Sequence, residues 1–418
     1  MTSSIQGAGE RILSIDVVRG MAVLGILLMN IVGMGLPTYA YINPIYGGGT
    51  TGADFWTWAI NNVLTDGKMR ALFTMLFGAS AVLIAGRAEV GSGLGPVQTH
   101  YRRVFWMFVI GMIHAYFFWF GDILVTYAVA GALVFPFRKL SPRLLIALGA
   151  TVLTALFVWH LYETGQARDL MAAATTPGAS EAARSAWAEA SRTFLMPPGL
   201  AEAEIASFRG GFMEALEARA RIASLLQILI PFGDGPEAIG QMLVGMGLFR
   251  LGFFSLGWST RAYLAVLVFG YAVAAPYTAY LTWLIHQSGF EPVRLHELEV
   301  WQSITRPFIA LAHASALLLI VRAGVLRSLV SRLEAAGRMA FTNYLMTSVI
   351  TSLVFCGYGL GLYGHLSRAG QLWVVAGVWA LILLWSRPWL ARFRYGPLEW
   401  VWRSLVQWKR QPFRRATA

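Results

Sequence analysis

Residues 102–127 read RRVFWMFVIGMIHAYFFWFGDILVTY, and this stretch decides the kind of fold that the chain adopts. The apolar run from Val104 to Phe120 has 17 residues, about 25 Å as a helix at ~1.5 Å per residue. A second apolar run, Ile123 to Phe135, follows almost at once. Together the two runs are too long for one perpendicular crossing of a bilayer core of ~30 Å. The simplest prediction is a helical hairpin with its tip at Gly121 and Asp122.

Basic residues close both ends of this hairpin: Arg102, Arg103, Arg138, Lys139 and Arg143. Both ends therefore lie on one side of the membrane, and His114 lies well inside the bilayer. Asp122 sits at the tip, with Tyr127 about one turn along the returning helix. An ionisable side chain at membrane depth indicates a functional site by default. The alternative is that a neutral His114 donates one hydrogen bond to a neighbouring helix.

The composition predicts an all-α, polytopic integral membrane helical bundle. The chain is 57% hydrophobic and only 13% charged, whereas soluble domains carry roughly 25% charged residues. Cationic cytoplasmic loops explain the net charge of +12, so no nucleic-acid partner is expected. Cys356 is the one cysteine, which excludes a disulfide within the chain and a cysteine-based zinc site. The first apolar segment lacks a cleavage site and is predicted to be retained as a span.

About ten spans are predicted, and their loops indicate the orientation. With both termini on one side, that side collects most of the lysines and arginines, which places both termini in the cytoplasm. The predicted spans are 17–36, 71–85, 104–120, 123–135, 144–161, 238–254, 262–285, 307–321, 339–355 and 372–385. Four regions follow: residues 1–162 with spans 1–5, an extracytoplasmic polar helical insert at 163–221, residues 222–393 with spans 6–10, and a cationic interfacial tail at 394–418.

Two further groups of charged residues are open to two interpretations. Asp66, Lys68 and Arg70 precede span 2, where the cations either snorkel at a helix end or face an anionic ligand. Glu237 follows a Gly-Asp-Gly-Pro break, which is either a re-entrant segment lining a cavity or a plain interfacial turn.

Span 9 carries a stripe of polar residues that includes Asn343, Tyr344 and Ser348. Such stripes are most often hydrogen-bonded contacts between helices. With Arg338 at the entrance of the span, the stripe is also a candidate ligand site. The His and Glu residues of the 286–299 loop meet no known ligand spacing, so no metal site is predicted.

Several stretches of the chain resemble the YeiB-like family of uncharacterised bacterial inner-membrane proteins. They are residues 11–20 (RILSIDVVRG), 66–78, 121–127, 337–344, 357–359 and 394–400 (RYGPLEW). The resemblance covers nearly the whole chain. It implies a multi-pass protein of the bacterial inner (cytoplasmic) membrane.

The N-terminal pattern is also similar to the wider transmembrane acyltransferase superfamily, which includes heparan-alpha-glucosaminide N-acetyltransferase and the sugar O-acyltransferases. Those proteins move an acyl group from a cytoplasmic donor, often acetyl-CoA, to an acceptor across the membrane. The sugar O-acyltransferases carry a basic residue and, eleven positions later, a histidine in span 1. Arg19 matches the basic residue, and Asn30 stands at the histidine position. The base role then falls to His114 or Asp122.

This resemblance implies an acyltransferase-like protein in which His114 and Asp122 are catalytic. Arg19, Arg103 and Arg338 would hold an anionic donor such as acyl-CoA. The expected substrate-binding residues are Asn30, Asp66, Lys68, Arg70, Tyr127, Glu237, Asn343, Tyr344 and Ser348.

Two other functions stay open. A transporter or exporter of a small metabolite would use the same polar residues as a binding path. A lipid- or quinone-binding membrane protein would instead stack a flat ring on the aromatic-rich span 3. The expected partners are the lipid bilayer, an acyl-CoA and a small or cell-envelope acceptor. No cofactor is identified, and a homo-oligomer is one assembly that the sequence allows.

Overall fold

The structure, a computed structural model, describes residues 12–90, 94–230 and 233–415 of the chain. In this part of the chain the regular elements are helices, and the single β-type pairing is an isolated bridge between Phe393 and Arg414. The all-α fold predicted from composition and periodicity is confirmed.

Nineteen α-helices follow one another along the described residues. They are α1 Leu13–Gly35, α2 Thr38–Ile42, α3 Gly52–Leu64, α4 Lys68–Val90, α5 Pro96–Phe117, α6 Leu124–Val134, α7 Pro142–Thr175, α8 Glu181–Ala190, α9 Leu200–Arg209, α10 Phe212–Leu229, α11 Asp234–Arg250, α12 Thr260–Phe269, α13 Ala275–Gln287, α14 Pro292–Ser303, α15 Arg306–Ala323, α16 Arg327–Arg338, α17 Ala340–Phe355, α18 Arg368–Arg392 and α19 Pro397–Gln407. Short 3₁₀ segments occupy Phe135–Lys139 and Ser191–Thr193, and a π-helical segment, Gly270–Ala274, joins α12 to α13.

Six helical segments in the described residues are long and apolar enough to cross a membrane. They are Leu13–Gly35, Gly52–Gly86, Pro142–Thr175, Thr260–Gln287, Arg306–Ala323 and Arg368–Arg392. The remaining predicted spans fall on α5, α6, α11 and α17, of which α17 is a shorter apolar helix. The prediction of a polytopic helical membrane protein is confirmed. The count of ten crossings and the cytoplasmic position of the termini stay predictions.

Helix α1 lies at the centre of the bundle. In its most apolar window 78% of the residues are buried inside the protein, compared with 11% for α7. Helix α7 is therefore peripheral, and most of its apolar surface is available to lipid.

Helices α1 and α16 touch backbone to backbone. A Cβ atom at Gly337 would lie 1.8 Å from the Asp16 carbonyl oxygen, and one at Gly20 would lie 2.0 Å from that of Leu333. Small residues permit this approach, which is typical of helix pairs in membranes. The contact holds the first turns of α1 beside the end of α16, where Arg338 lies.

Helices α4 and α11 pack in the same way. A Cβ atom at Gly78 would lie 2.2 Å from the Met242 carbonyl oxygen, and one at Gly245 would lie 2.0 Å from that of Met75. This close packing aligns the first turn of α4 with the first turn of α11.

Helices α5 and α6 form the hairpin that the sequence predicts, with residues 118–123 as its tip. Helix α5 begins before the apolar run, at Pro96. Proline is favoured in the first turn of a helix. Arg102 and Arg103 consequently lie inside the helix rather than before it.

The predicted region boundaries at residues 162 and 221 fall inside α7 and α10. Helix α7 continues because residues 166–174 are mostly good helix formers and the next proline is Pro177. At 34 residues, α7 is about 51 Å long at ~1.5 Å per residue, more than a bilayer core requires. The division of the chain into four regions stays a prediction.

Candidate functional site

A cavity of about 370 Å³ lies between α1, α4, α5, α6, α16, α17 and α19. Its wall is divided between charged or polar side chains and apolar ones. The charged and polar residues are Asp16, Arg19, Ser80, His100, Tyr127, Arg103, Arg338, Tyr344, Tyr395, Glu399 and Arg403. The three arginines expected to bind an anionic donor therefore lie on one cavity, although they come from three different helices.

Arg19 is oriented by two partners. One of its guanidinium nitrogens lies 2.7 Å from Asp16 Oδ1, and the other donates a hydrogen bond of 3.0 Å to Ser80 Oγ on α4. The spacing of three residues puts Asp16 and Arg19 on one face of α1. The side chain of Arg19 keeps 22% of its surface exposed, so it remains accessible.

Arg103 is held by the C-terminal helix. Its guanidinium lies 4.1 Å from the ring centroid of Trp402, and Trp402 Nε1 donates a 3.1 Å hydrogen bond to the Arg103 carbonyl oxygen. Stacking of a cation on an indole face is favourable. The 394–418 segment, predicted to be an interfacial tail, thus supplies one wall of the cavity through α19.

Glu399 of α19 binds the beginning of α17. Its carboxylate accepts hydrogen bonds from the backbone N–H of Phe341 at 2.8 Å, from that of Thr342 at 3.1 Å, and from the Thr342 hydroxyl at 2.5 Å. The first N–H groups of a helix lack partners within the helix, so this carboxylate acts as a cap from another element. Burial raises the pKa of Glu399 above its usual value, although these hydrogen bonds favour the ionised form.

Glu399 and Arg403 were not identified as site residues from the sequence. Two signals were available: both lie in or next to the RYGPLEW stretch, and their spacing of four places them on one helix face. Arg338, which was identified, ends α16 and lies 3.5 Å from Glu334. His100 also lines the cavity, but its ring stacks on Phe135 and its Nε2 lies 3.0 Å from a backbone carbonyl oxygen, as is typical of a packing residue.

His114 and Asp122 form a buried pair at the hairpin tip. Nδ1 of His114 lies 2.7 Å from Asp122 Oδ1, and each side chain is only 1% exposed. The second oxygen, Oδ2, accepts a 2.9 Å hydrogen bond from the backbone N–H of Val125 in the first turn of α6. A carboxylate bound to Nδ1 fixes the tautomer in which Nε2 carries the lone pair.

Nε2 of His114 is buried and has no hydrogen-bond partner. The His114 ring lies 5.2 Å from the ring of Tyr344, which also lines the cavity. The histidine is not itself on the cavity wall, so Tyr344 connects the buried pair to the cavity.

A second charged group lies at the other end of α4. Arg70 binds Asp234 Oδ1 at 2.7 Å and Glu237 Oε2 at 2.8 Å, and Arg306 lies 3.5 Å from Glu237 Oε1. Gln241 donates a 2.9 Å hydrogen bond to the same Glu237 oxygen. Arg70 is therefore paired with carboxylates of this chain.

Asp66 and Lys68 also have partners in the protein. The Lys68 ammonium is buried and donates to the Asn62 carbonyl oxygen, and Asp66 accepts a 3.3 Å hydrogen bond from the Tyr41 hydroxyl. The sequence offered two interpretations, snorkelling at a helix end and a cationic surface for an anionic ligand. The structure shows neither, because Lys68 is buried and both residues bind partners within the protein.

Tyr127 lies between the cavity and the Arg70 group. Its ring lines the cavity, and its hydroxyl lies 2.5 Å from Thr74 Oγ1 and 3.3 Å from the Arg70 carbonyl oxygen. Tyr127 is thus the candidate residue that connects the two charged regions.

The remaining predicted site residues, Asn30, Asn343 and Ser348, do not line this cavity. Asn343 is fully buried and donates hydrogen bonds to the Ala336 carbonyl oxygen at 3.1 Å and to Ser386 Oγ at 3.2 Å. It also accepts one from Trp385 at 3.1 Å. Asn343 therefore joins helices, which is the first of the two interpretations of the span 9 stripe.

The fold and the cavity define the class: a polytopic α-helical membrane protein with a cationic cavity enclosed by its helices. Residues 248–409 match the family described as "Protein of unknown function (DUF418)". The chain is 31% identical over 404 residues to "Uncharacterized protein YeiB" of Escherichia coli (strain K12), covering 95% of this chain and 96% of that protein. It is 27% identical over 416 residues to "Uncharacterized protein YxaH" of Bacillus subtilis (strain 168), covering 98% and 97%.

The chain belongs to the DUF418 family of YeiB-like proteins, as its sequence motifs predict. No solved structure matches it with statistical significance.

Proposed function

We propose that the protein is an acyltransferase of the bacterial inner membrane that passes an acyl group from a cytoplasmic donor such as acyl-CoA to a small or cell-envelope acceptor. The proposal rests on one arrangement of side chains around the cavity. Arginines from α1, α5 and α16 line the cavity whose wall residue Tyr344 contacts the His114–Asp122 pair. Acyl transfer from an anionic donor needs these two parts, a cationic binding surface and a base.

The positive charge of the cavity favours binding of an anionic donor. Four arginines line it against two carboxylates, Asp16 and Glu399, so its net charge is +2 when both carboxylates are ionised. Arginine binds phosphate through paired N–H donors and keeps its charge at any physiological pH. Attraction between opposite charges is also stronger beside protein walls than in bulk water.

The apolar part of the wall suits the thioester arm and acyl chain of such a donor. Phe73 and Phe77 lie about two turns and one turn along α4 from Ser80, which contacts Arg19, so the apolar wall extends away from the arginines. Met107 and Leu124 continue it toward the hairpin. The volume of about 370 Å³ lies within the ~300–1,000 Å³ typical of ligand pockets.

In the proposed step His114 acts as the general base. Its Nε2 takes the proton of an acceptor hydroxyl or amine while the acceptor oxygen or nitrogen attacks the thioester carbonyl carbon. The carbon–sulfur bond then breaks, and the leaving thiolate takes the proton from the imidazolium to become a free thiol. Asp122 holds the tautomer and stabilises the imidazolium. The step requires Tyr344 to turn aside, because it packs against the His114 ring.

Donor binding is tested with the detergent-purified protein, by thermal shift and calorimetry with acetyl-CoA and longer acyl-CoAs. A donor that binds only the folded protein raises its stability by ~2.7 kcal/mol at a hundredfold excess over the dissociation constant. Arg338→Gln should weaken binding, because it removes one cation from the cavity. Arg327→Gln, on the exposed side of the same helix and outside the cavity, should not.

The absence of donor-dependent stabilisation in the wild type would contradict the proposal. Equal binding by both variants would also contradict the role of the arginines. Binding that falls only in Arg338→Gln would support the cavity as the donor site.

A second candidate, transport of a small metabolite, is favoured by the position of Tyr127 between the cavity and the Arg70 group. In a transporter the cavity opens in turn to each side of the membrane. The variant Ser80→Cys, in a Cys356→Ser background, should then react with impermeant thiol reagents from both sides. In the acyltransferase the same cysteine should react from the cytoplasmic side alone.

A further inference from the structure

A second, much smaller cavity lies at the hairpin tip, away from the candidate donor site. Its volume is about 20 Å³, and Trp119, Arg219 and Cys356 are among the residues that line it. A cavity needs roughly 10–15 Å³ to hold a single water. This one therefore has room for one particle of about that size and excludes polyatomic anions such as phosphate.

Arg219 brings an uncompensated positive charge to this cavity. Its side chain comes from α10 and is only 1% exposed. It donates hydrogen bonds to the Phe117 carbonyl oxygen at 2.9 Å and the Tyr358 hydroxyl at 3.2 Å, and its contact with Cys356 Sγ is 3.7 Å. None of the described carboxylates forms an ion pair with it. A buried cation without a counter-charge is costly, and the helix-end carbonyl compensates it in part only.

Trp119 brings an unused hydrogen-bond donor to the same cavity. The residue is 8% exposed, and its indole Nε1 is buried without an acceptor. A buried donor without a partner costs roughly 1–3 kcal/mol, so such groups in native proteins usually have one.

We propose that this cavity binds one monatomic anion, with chloride as the physiological ligand. A halide accepts hydrogen bonds from the indole and the guanidinium and also neutralises the buried charge. A water molecule would accept the hydrogen bond of the indole N–H but would leave the charge of Arg219 uncompensated. The proposal does not depend on acyl transfer, because it concerns a separate cavity and is tested without a donor.

The position of the anion has a consequence for the hairpin tip. The Trp119 indole packs over Gly121, where a Cβ atom would lie 2.3 Å from the ring. The same ring lies 6.5 Å from that of His114. An anion that fixes Trp119 therefore also fixes the backbone next to Asp122. If the proposed function is correct, loss of the anion should lower the rate of acyl transfer more than it lowers the affinity for the donor.

The direct test measures binding of ³⁶Cl⁻ to the detergent-purified protein by equilibrium dialysis. We expect saturable binding of one chloride per chain, displaced by bromide and not by gluconate. Trp119→Phe removes the indole donor while keeping an aromatic ring at this position, and it should weaken binding about tenfold or more. Trp258→Phe is the matched control, because that indole already donates to the Leu251 carbonyl oxygen at 3.0 Å.

Thermal unfolding provides an independent readout. At constant ionic strength the wild-type melting temperature should be higher in chloride than in gluconate, and Arg219→Gln should remove the difference. Equal melting temperatures together with no saturable ³⁶Cl⁻ binding would overturn the proposal and identify the occupant as water. Binding that Trp119→Phe leaves unchanged would overturn the assignment to this cavity.

Discussion

Asp122 uses its two carboxylate oxygens for different partners. One binds His114 Nδ1, and the other accepts from the backbone N–H of Val125 in the first turn of α6. Because the second bond ties the carboxylate to a helix N-terminus, the imidazole is oriented by a regular element. The buried, unbonded Nε2 is the one polar atom of this pair that lacks a partner. It is the atom that the proposed reaction uses.

His114→Ala and Asp122→Asn should each lower acyl transfer by about a hundredfold or more, while the protein still folds. Alanine removes the base, and asparagine removes the charge that stabilises the imidazolium. The rate is measured as release of free CoA thiol from acyl-CoA, with water as the simplest acceptor.

His313→Gln provides the control for a buried histidine in a span. Both of its ring nitrogens are already used, by the Tyr271 hydroxyl at 2.6 Å and the Leu64 carbonyl oxygen at 2.8 Å. This variant should keep its rate per folded molecule. Wild-type rates in both His114→Ala and Asp122→Asn would exclude the pair from catalysis.

Packing between helices determines whether the arginines of the cavity meet. Asp16 and Arg19 on α1 lie beside Arg338 because Gly20 and Gly337 let the two backbones touch. In a bilayer the hydrophobic effect does not drive helices together, so such small-residue contacts select the neighbours.

Gly337→Ala should separate α1 from α16 and destabilise the protein by roughly 1–3 kcal/mol, the usual cost of overpacking. Its Cβ atom would lie 1.8 Å from the Asp16 carbonyl oxygen, which belongs to a helix backbone and cannot move alone. Thermal unfolding measures the loss, and acyl-CoA binding should fall with it.

Gly377→Ala is the matched control in α18, where a Cβ atom would meet nothing within 4 Å. We expect it to be neutral or slightly stabilising, because alanine favours a helix more than glycine does. Equal effects of the two substitutions would show that the α1–α16 contact has no special role.

At the scale of the molecule, Tyr127 lies between two of the charged regions in the described part of the chain. The cavity side is rich in arginine and includes α19, whereas the other side pairs Arg70 and Arg306 with Asp234 and Glu237. From the positive-inside rule we predict that the cavity side faces the cytoplasm. A cytoplasmic donor would then meet the cavity directly.

Cysteine labelling in intact cells tests this orientation in a Cys356→Ser background. Thr176→Cys, exposed between α7 and α8, should react with an impermeant thiol reagent. Lys409→Cys, exposed after α19, should react only after the cells are permeabilised. The opposite pattern would reverse the orientation and remove the cytoplasmic donor from the proposal.

Composition and local spacing were sufficient to predict the helical membrane fold and the hairpin. Depth in the membrane was sufficient to single out His114 as a candidate, and the tight tip brings Asp122, eight residues away, beside it without help from other helices. Local geometry of this kind depends on helical periodicity and chain connectivity, and both can be read directly from a sequence.

Contacts between distant segments were settled by the tertiary structure. Arg70 meets Asp234 across 164 residues, Glu399 binds α17 across 57, and Trp119 shares a cavity with Arg219. No periodic pattern identifies these pairs, because all of the spans are similarly apolar. Which helices become neighbours depends on the shapes of their surfaces, above all on where glycine lets two backbones approach, and this appears only when the helices are packed together.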